Sequence, residues 1–204
     1  LKKLASFNKR VVLSTGMSTL NEISNTIKFL KKNGLNKKKI ILLHCNSEYP
    51  TPYSDTNLKA MLYLNKKFRL PVGISDHTLG IEVPIAAAAL GAVFIEKHFT
   101  LDRKMVGPDH QASITPLELK KMVTAIRNIE KALGKYEKKV TRSEKKNINI
   151  ARKSIVAIKG IKKGEVFSPQ NIGVKRPGTG ISPTKFFKYI GKKAKKNYKY
   201  DQLI

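Results

Sequence analysis

Short apolar segments alternate with helix-like segments through the first two thirds of the chain, and this alternation restricts the possible folds more than any other feature. The apolar runs begin roughly 20 to 30 residues apart, and a polar loop and a segment with helical spacing follow each one. They are Val11–Leu13, Lys39–Leu43, Val72–Ile74 and Ala92–Ile95. Such near-continuous apolar strands indicate a parallel sheet covered by helices on both faces.

The helices between these strands have local start and stop signals. They begin at the capping boxes Thr19–Glu22 and Thr115–Glu118, span the alanine-rich segment Ile81–Leu90, and lie around Asn57–Lys67. The residues expected to face the core at helical spacing are Ile23, Ile27, Leu30, Leu58, Met61, Leu62, Leu119, Met122, Val123, Ile126, Ile129 and Leu133.

Four βα units are half of a (β/α)8 barrel, which needs about 250 residues in all, and an open four-stranded sheet is the alternative. The chain begins at Leu1 and not at Met, which favours the second half of a barrel within a longer protein. Residues 135–150 lose helical periodicity, so we expect a linker there. The remaining pattern of short strands and turns predicts a barrel half at 1–134 and a small, mostly β domain at 151–204.

The chain is strongly basic, with 41 Lys and Arg against 14 Asp and Glu and a formal net charge of +27. The lysines are scattered and no nucleic-acid-binding motif accompanies them, so we expect no nucleic-acid partner. No apolar run of about 18 residues is present, so we expect no membrane span. Cys45 is the single cysteine, which fits a reducing, cytoplasmic compartment.

Two histidines mark the candidate site. His77 and His98 each follow an apolar strand, so in a parallel sheet both emerge at the carboxyl edge, where α/β folds place their chemistry. Two imidazoles held there could share a divalent cation, and Asp109 follows the second one. Either histidine alone would be interpreted as an ordinary polar residue at a strand end, so the hypothesis depends on their combination.

Hydroxyl groups follow three strands at the same expected edge. Ser14, Ser47 and Ser75 suit the oxygen atoms of a phosphate or carboxylate, although a single Ser after a strand is usually only a helix cap. Tyr49 either offers a phenol to a substrate or simply packs.

Four further polar residues carry weaker signals. Glu96 and Lys97 either send one side chain inward, with the opposite parity to His98, or form an ordinary ion pair on the outer layer of the sheet. His44 is either a packed histidine or a support for the site, and His110 is expected to be exposed.

Six polar segments form an ordered series along essentially the whole chain. They are Ser14–Met17, His44–Pro50, Ser75–Gly80, Glu96–Thr100, Gly107–Asp109 and Lys175–Gly178. This series resembles the sialic acid synthases and, more widely, the nonulosonic acid synthases, which include N-acetylneuraminate and legionaminate synthases. The resemblance implies the second half of a TIM barrel followed by an antifreeze-like (SAF) domain. It also implies a reaction in which phosphoenolpyruvate, N-acetylmannosamine or a related N-acyl amino sugar, and water give a nonulosonic acid and phosphate.

The resemblance further implies roles for eight residues. His77 and His98 match divalent-metal ligands (Mn²⁺ or Mg²⁺), and Ser14, Ser47 and Ser75 match phosphoenolpyruvate contacts. Tyr49 and Asp109 match amino-sugar contacts. Arg176 matches a residue that reaches the partner subunit's site in a homodimer. The family's first four βα units have no counterpart here, and with them a phosphoenolpyruvate-binding lysine and an acidic residue at the sugar. We therefore expect this chain alone to be inactive.

Two alternatives remain open. Ile150 stands where relatives place Phe, so the acceptor is either N-acetylmannosamine or the 2,4-diacetamido-trideoxymannose of legionaminate synthases. A different class of function is a non-catalytic module that binds a polyanion or regulates another subunit. Such a module would associate in a strongly salt-dependent way, whereas the enzyme requires metal binding by both His77 and His98.

Overall fold

A computed structural model describes all residues 1–204, which divide into two compact units, Leu1–Lys135 and Tyr136–Ile204. The elements of the first unit are α1 (Lys2–Ser6), β1 (Val11–Ser14), α2 (Leu20–Lys32), β2 (Ile40–Cys45), α3 (Lys59–Phe68), β3 (Val72–Asp76), α4 (Glu82–Ala89), β4 (Ile95–Lys97) and α5 (Pro116–Leu133). Short 3₁₀ turns occupy Lys37–Lys39, Tyr53–Asp55 and His110–Ala112. None of the helices combines the length and the apolar character that a membrane crossing requires.

The sheet of the first unit is the curled half of a barrel. Its strand order is β1-β2-β3-β4 and all neighbouring strands are parallel, so spatial order follows chain order without the reversal of a doubly wound sheet. The half-barrel prediction is confirmed. Because all four strands are parallel, their carboxyl ends lie at the same edge of the sheet.

The strands differ from the apolar runs that predicted them. The fourth strand was expected at Ala92–Ile95, and this boundary is wrong, because the regular strand is Ile95–Lys97. Its two charged residues continue the ladder, since Glu96 lies opposite Ser75 and Lys97 lies opposite Asp76 on β3. Strand β3 likewise extends past its apolar run to Asp76, so polar residues with cross-strand partners lengthen both strands at the carboxyl edge.

The helix starts are confirmed. In α2, the Glu22 backbone N–H donates to Thr19 Oγ1 and the Glu22 carboxylate accepts from the Thr19 N–H; Thr115 and Glu118 repeat the arrangement in α5. Of the predicted core residues, those buried are Ile23, Ile27, Leu30, Met61, Met122 and Ile126. The inward positions predicted for Leu62, Val123 and Leu133 are wrong, because no neighbouring element in this chain covers those sides of α3 and α5, and the three residues are exposed.

The second unit is built around a small antiparallel sheet. Its elements are α6 (Arg142–Lys145), α7 (Ile148–Ala151), β5 (Ser154–Ala157), β6 (Ile172–Lys175), a 3₁₀ turn (Pro183–Lys185) and α8 (Phe186–Tyr189). The core contains Ile155, Ile161 and Ile172, with Tyr189 and Tyr198 packed around Phe167 at ring-centroid distances of 6.2 and 5.9 Å. The segment interpreted as a linker, 135–150, contains the short helix α6 and the first three residues of α7.

Candidate functional site

Three rings form a cluster at the carboxyl edge of the half-barrel sheet. Tyr49, in the loop after β2, stacks on His77 with ring centroids 4.0 Å apart, and His77 follows β3 directly. His98 follows β4 and lies 5.1 Å from both Tyr49 and His77, roughly perpendicular to each ring. The structure therefore brings together the two histidines and the tyrosine that the sequence placed on three separate loops.

His77 is held in one orientation. Its Nδ1 lies 2.6 Å from the backbone carbonyl oxygen of Asn46, its own carbonyl accepts from the Thr51 N–H at 2.9 Å, and it is only 6% exposed. A carbonyl oxygen can only accept, so Nδ1 carries the proton and the lone pair of Nε2 is available. The loop after β2 thereby sets both the tautomer and the direction of this ring.

His98 is more accessible and sits beside an acidic residue. Its Nδ1 lies 3.7 Å from Asp109 Oδ2, a distance longer than a hydrogen bond, and about a third of its side chain is exposed. Its backbone carbonyl accepts from the Ile114 N–H at 2.9 Å, which fixes the strand end but leaves the ring less constrained than His77. Asp109 therefore lies beside the ring cluster.

The inner face of β3 and β4 adds a carboxylate that the sequence analysis did not assign to the site. Ser75 Oγ donates to Glu96 Oε1 at 2.6 Å and lies 3.4 Å from His77 Nε2. The signal was present in the alternation of a strand, since Glu96 and His98 are two residues apart and share a face. Glu96, which has the same parity as His98, is thus the inward-facing residue of the two, and the expected opposite parity is wrong.

The outer face carries an ion pair, but not between Glu96 and Lys97, so that alternative is wrong. Lys97 Nζ instead lies 2.6 Å from Asp76 Oδ2 and 2.6 Å from the Thr78 carbonyl oxygen. The two charged side chains are 2% and 1% exposed. Alternation along paired strands sends Glu96 and Lys97 to opposite faces, which excludes a direct pair between them.

Two ionisable groups near the rings are shifted toward their protonated forms. Burial raises the pKa of the Cys45 thiol, with Glu96 adding to the effect and Ser75 and Ser47 opposing it. Burial also raises the pKa of the Tyr49 phenol, and interactions with Cys45, Asp109 and Glu96 raise it further. Tyr49 is therefore a hydrogen-bond donor at neutral pH, and Cys45 is a neutral thiol there.

The remaining predicted residues lie outside the ring cluster. Ser14 ends β1 and is exposed at the same edge of the sheet, and Ser47 follows β2 next to Cys45. Arg176 belongs to the second unit, where its Nε donates to the Ala151 carbonyl at 3.1 Å.

Two further histidines have local partners. His44 Nε2 lies 2.7 Å from the Thr56 carbonyl oxygen, which makes it a packed residue. His110, expected to be exposed, is partly buried because its Nδ1 lies 2.8 Å from Thr100 Oγ1. Neither belongs to the ring cluster.

The chemistry of the ring cluster fits a divalent cation. The Nδ1 proton of His77 is donated to the Asn46 carbonyl oxygen, a bond that metal-binding histidines commonly make and that leaves Nε2 free to bind. The chain contains no group of three or more His, Cys, Asp or Glu side chains suited to a metal. His77 and His98 are the two imidazoles at this edge that could hold a cation, with water or substrate oxygen atoms in the other positions.

Comparison with known proteins matches both units of the chain. Residues 1–138 match the model of the NeuB family, and residues 152–204 match the SAF domain. The chain is 56% identical to an N,N'-diacetyllegionaminic acid synthase of Campylobacter jejuni over 100% of this chain and 61% of that protein. It is 43% identical to an N,N'-diacetyllegionaminic acid synthase of Legionella pneumophila over 97% of this chain and 56% of that protein.

A solved structure shares the fold. The crystal structure of an N-acetylneuraminic acid (sialic acid) synthetase from Leptospira borgpetersenii, in complex with citrate, is 41% identical in sequence. It superposes with a TM-score of 0.64, covering 72% of this chain and 50% of that one. The chain thus spans about 60% of the length of the curated relatives it matches.

Proposed function

The chain belongs to the NeuB family, and from this membership we propose that the protein containing it is a nonulosonic acid synthase. The proposed reaction joins phosphoenolpyruvate to the aldehyde of an N-acylated amino sugar, consumes one water and releases inorganic phosphate. The observation that carries the proposal is the cluster of Tyr49, His77 and His98, whose rings lie 4.0 to 5.1 Å apart where three strands end. The cluster combines an oriented imidazole, an accessible imidazole and a protonated phenol.

We assign the two histidines to a divalent cation, Mn²⁺ or Mg²⁺. His77 and His98 would hold the cation, which would supply Lewis-acid polarisation of the sugar aldehyde. Asn46 and Tyr49 hold the His77 ring, so that Nε2 keeps its direction during the reaction.

The hydroxyls at the sheet edge are proposed to hold phosphoenolpyruvate. Ser14, Ser47 and Ser75 supply donors for its phosphate and carboxylate oxygens, and the net charge of +27 favours approach of this anion. Ser75 already donates its proton to Glu96, so it donates to substrate only when that hydrogen bond is exchanged. Glu96 therefore controls how Ser75 is presented.

The acceptor sugar is proposed to lie on the Tyr49 and Asp109 side of the cluster. The phenol donates and the carboxylate accepts, which suits sugar hydroxyls and an N-acyl group. Two of the relatives described above are named N,N'-diacetyllegionaminic acid synthases, which favours 2,4-diacetamido-trideoxymannose as the acceptor. N-acetylmannosamine is the second candidate, supported by the name of the Leptospira enzyme.

We further propose that the protein works as a homodimer in the cytoplasm, with Arg176 acting at the partner subunit's site. Mixed dimers of Arg176→Ala and His98→Ala subunits test this. If Arg176 acts across the dimer, each mixed dimer regains one site with both residues intact, and phosphate release returns. If Arg176 acts within its own subunit, both sites of the mixed dimer stay defective and no activity returns.

The reaction itself is tested by phosphate release from phosphoenolpyruvate with the full-length protein and Mn²⁺. The two candidate sugars are offered side by side, and a chelator is added to a matched sample. We expect release with 2,4-diacetamido-trideoxymannose and its loss on chelation. Failure to release phosphate with either sugar would refute the proposed reaction.

A further inference from the structure

The outer face of β3 and β4, opposite the face that carries the histidines, contains a group of buried polar side chains that bond to one another and to the backbone. Lys97 Nζ contacts Asp76 Oδ2 and the Thr78 carbonyl oxygen, each at 2.6 Å, and Asp76 Oδ1 accepts from the Thr78 N–H at 3.0 Å. One ammonium group thus reaches the residues on both sides of His77. It belongs to the residue immediately before His98.

The two histidines lie just beyond the last residues that the hydrogen bonds between β3 and β4 hold in position. The last paired residues of β3 and β4 are Asp76 and Lys97, and each histidine is one residue further along its chain. The His77 carbonyl bonds to the loop after β2, and the His98 carbonyl bonds to Ile114. These two bonds connect the histidines to two different segments and not to each other. The Asp76–Lys97 ion pair joins the last paired residues of the two strands that carry the histidines.

The position of Thr78 also depends on this pair. Thr78 is fully buried, and its side-chain hydroxyl has no hydrogen-bond partner. Its backbone N–H and carbonyl are the groups that bond to Asp76 and Lys97. The peptide that follows His77 is therefore anchored through these two charged side chains and not through the threonine hydroxyl.

A buried ion pair is weak evidence of a stabilising role. Removing two charges from water is unfavourable by an amount similar to their attraction, so replacing such a pair by uncharged residues is often nearly neutral for stability. The parallel ladder already joins β3 to β4 in this register. What the pair adds beyond the ladder is a defined position for the backbone on either side of His77 relative to His98.

We propose that Asp76 and Lys97 are positioning residues that set the separation and angle of the His77 and His98 rings. The rings are 5.1 Å apart with their planes at 79°, and the pair holds this arrangement from the opposite face of the sheet. The inference rests on the proposed function, because its consequence is the geometry with which the two rings bind a divalent cation. The ring arrangement itself can be measured without metal or substrate.

The test uses the double variant Asp76→Asn, Lys97→Met in the full-length protein. It leaves no charge buried and keeps an oxygen acceptor for the Thr78 N–H, but it removes the ammonium bridge to the Thr78 carbonyl. We expect a cooperatively folded protein in which nuclear Overhauser contacts among the Tyr49, His77 and His98 rings are lost in the absence of metal. We also expect the Mn²⁺ dissociation constant to rise about 10- to 100-fold, as when other outer-shell partners are removed.

A matched control separates positioning from general destabilisation. Met61→Ala removes a buried side chain of α3 that is 2% exposed, and it should lower the melting temperature while keeping the ring contacts and Mn²⁺ affinity. Retention of the ring contacts in the double variant would overturn the proposal, and so would an equal loss in Met61→Ala. If the wild-type protein fails to consume phosphoenolpyruvate, the proposed function fails, but the metal-free ring contacts still decide this inference.

Discussion

Strands β3 and β4 carry one carboxylate on each face of the sheet, Glu96 opposite Ser75 on the inner face and Asp76 opposite Lys97 on the outer face. The two carboxylates differ in how fully their charge and hydrogen-bonding capacity are matched by partners. On the outer face, Asp76 is neutralised by Lys97 and bonded to a backbone N–H, and both side chains are almost fully buried. On the inner face, Glu96 has the hydroxyl of Ser75 as its partner and remains exposed. The outer face is therefore complete without a ligand, whereas the inner face keeps the free donors and acceptors that a site requires.

The largest expected effect is on the inner face. His98→Ala removes one of two proposed metal ligands, and we expect it to abolish metal-dependent phosphate release in the full-length protein. His110→Ala is the control, since His110 bonds to Thr100 and lies outside the ring cluster. A near-wild-type rate for His98→Ala, measured under saturating Mn²⁺, would contradict the assignment.

On the outer face, a single substitution should instead affect folding. Lys97→Met leaves the Asp76 carboxylate buried without its counter-charge, and we expect the free energy of unfolding to fall by about 3–5 kcal/mol. Urea-induced unfolding measures this change. Lys120→Met, at an exposed position of α5, should stay within about 0.5 kcal/mol of the wild type. Equal effects of the two substitutions would show that the outer pair has no special energetic role.

A smaller effect separates charge from hydrogen bonding on the inner face. Glu96→Ala removes the acceptor that fixes the position of the Ser75 hydroxyl, so Ser75 is no longer presented to phosphoenolpyruvate from a defined place, and we expect the KM for phosphoenolpyruvate to rise about tenfold. Glu96→Gln keeps an oxygen acceptor at the same place and should leave this KM close to the wild-type value. If Gln and Ala raise the KM equally, Glu96 acts through its charge and not by presenting Ser75.

The smallest effect lies away from both faces, at the start of α5. The backbone N–H of Thr115, followed by its hydroxyl and by Arg103, holds the pKa of Glu118 below 4.5. A lowered folded-state pKa means that the stabilisation is present above pH 4.5 and is lost as pH falls through the folded-state value. Glu118→Gln should therefore cost roughly 0.5–1 kcal/mol at pH 7 and less in acid, measured by urea unfolding at each pH. A difference that does not shrink on acidification would contradict this account.

Local patterns predicted those parts of the site that depend on a single strand and its loop. His77 and His98 follow apolar runs, and a parallel sheet brings such strand ends to one edge, so their proximity could be inferred without coordinates. Capping boxes at Thr19 and Thr115 were predictable because they depend on residues three apart. The end of β4 was not, because the apolar run stops at Ile95 and the pairing of Glu96 and Lys97 depends on their partners on β3.

By itself, the sequence determined the βα repeat, the parallel sheet, the polar carboxyl edge and the family resemblance, because each depends on spacing within short segments. Only the tertiary structure decided which charged residues pair, since Asp76 and Lys97 are 21 residues apart and meet through strand register. The same register sends Glu96 inward to Ser75. A one-residue shift in register would exchange the two faces, and no local pattern records which register the packed sheet adopts.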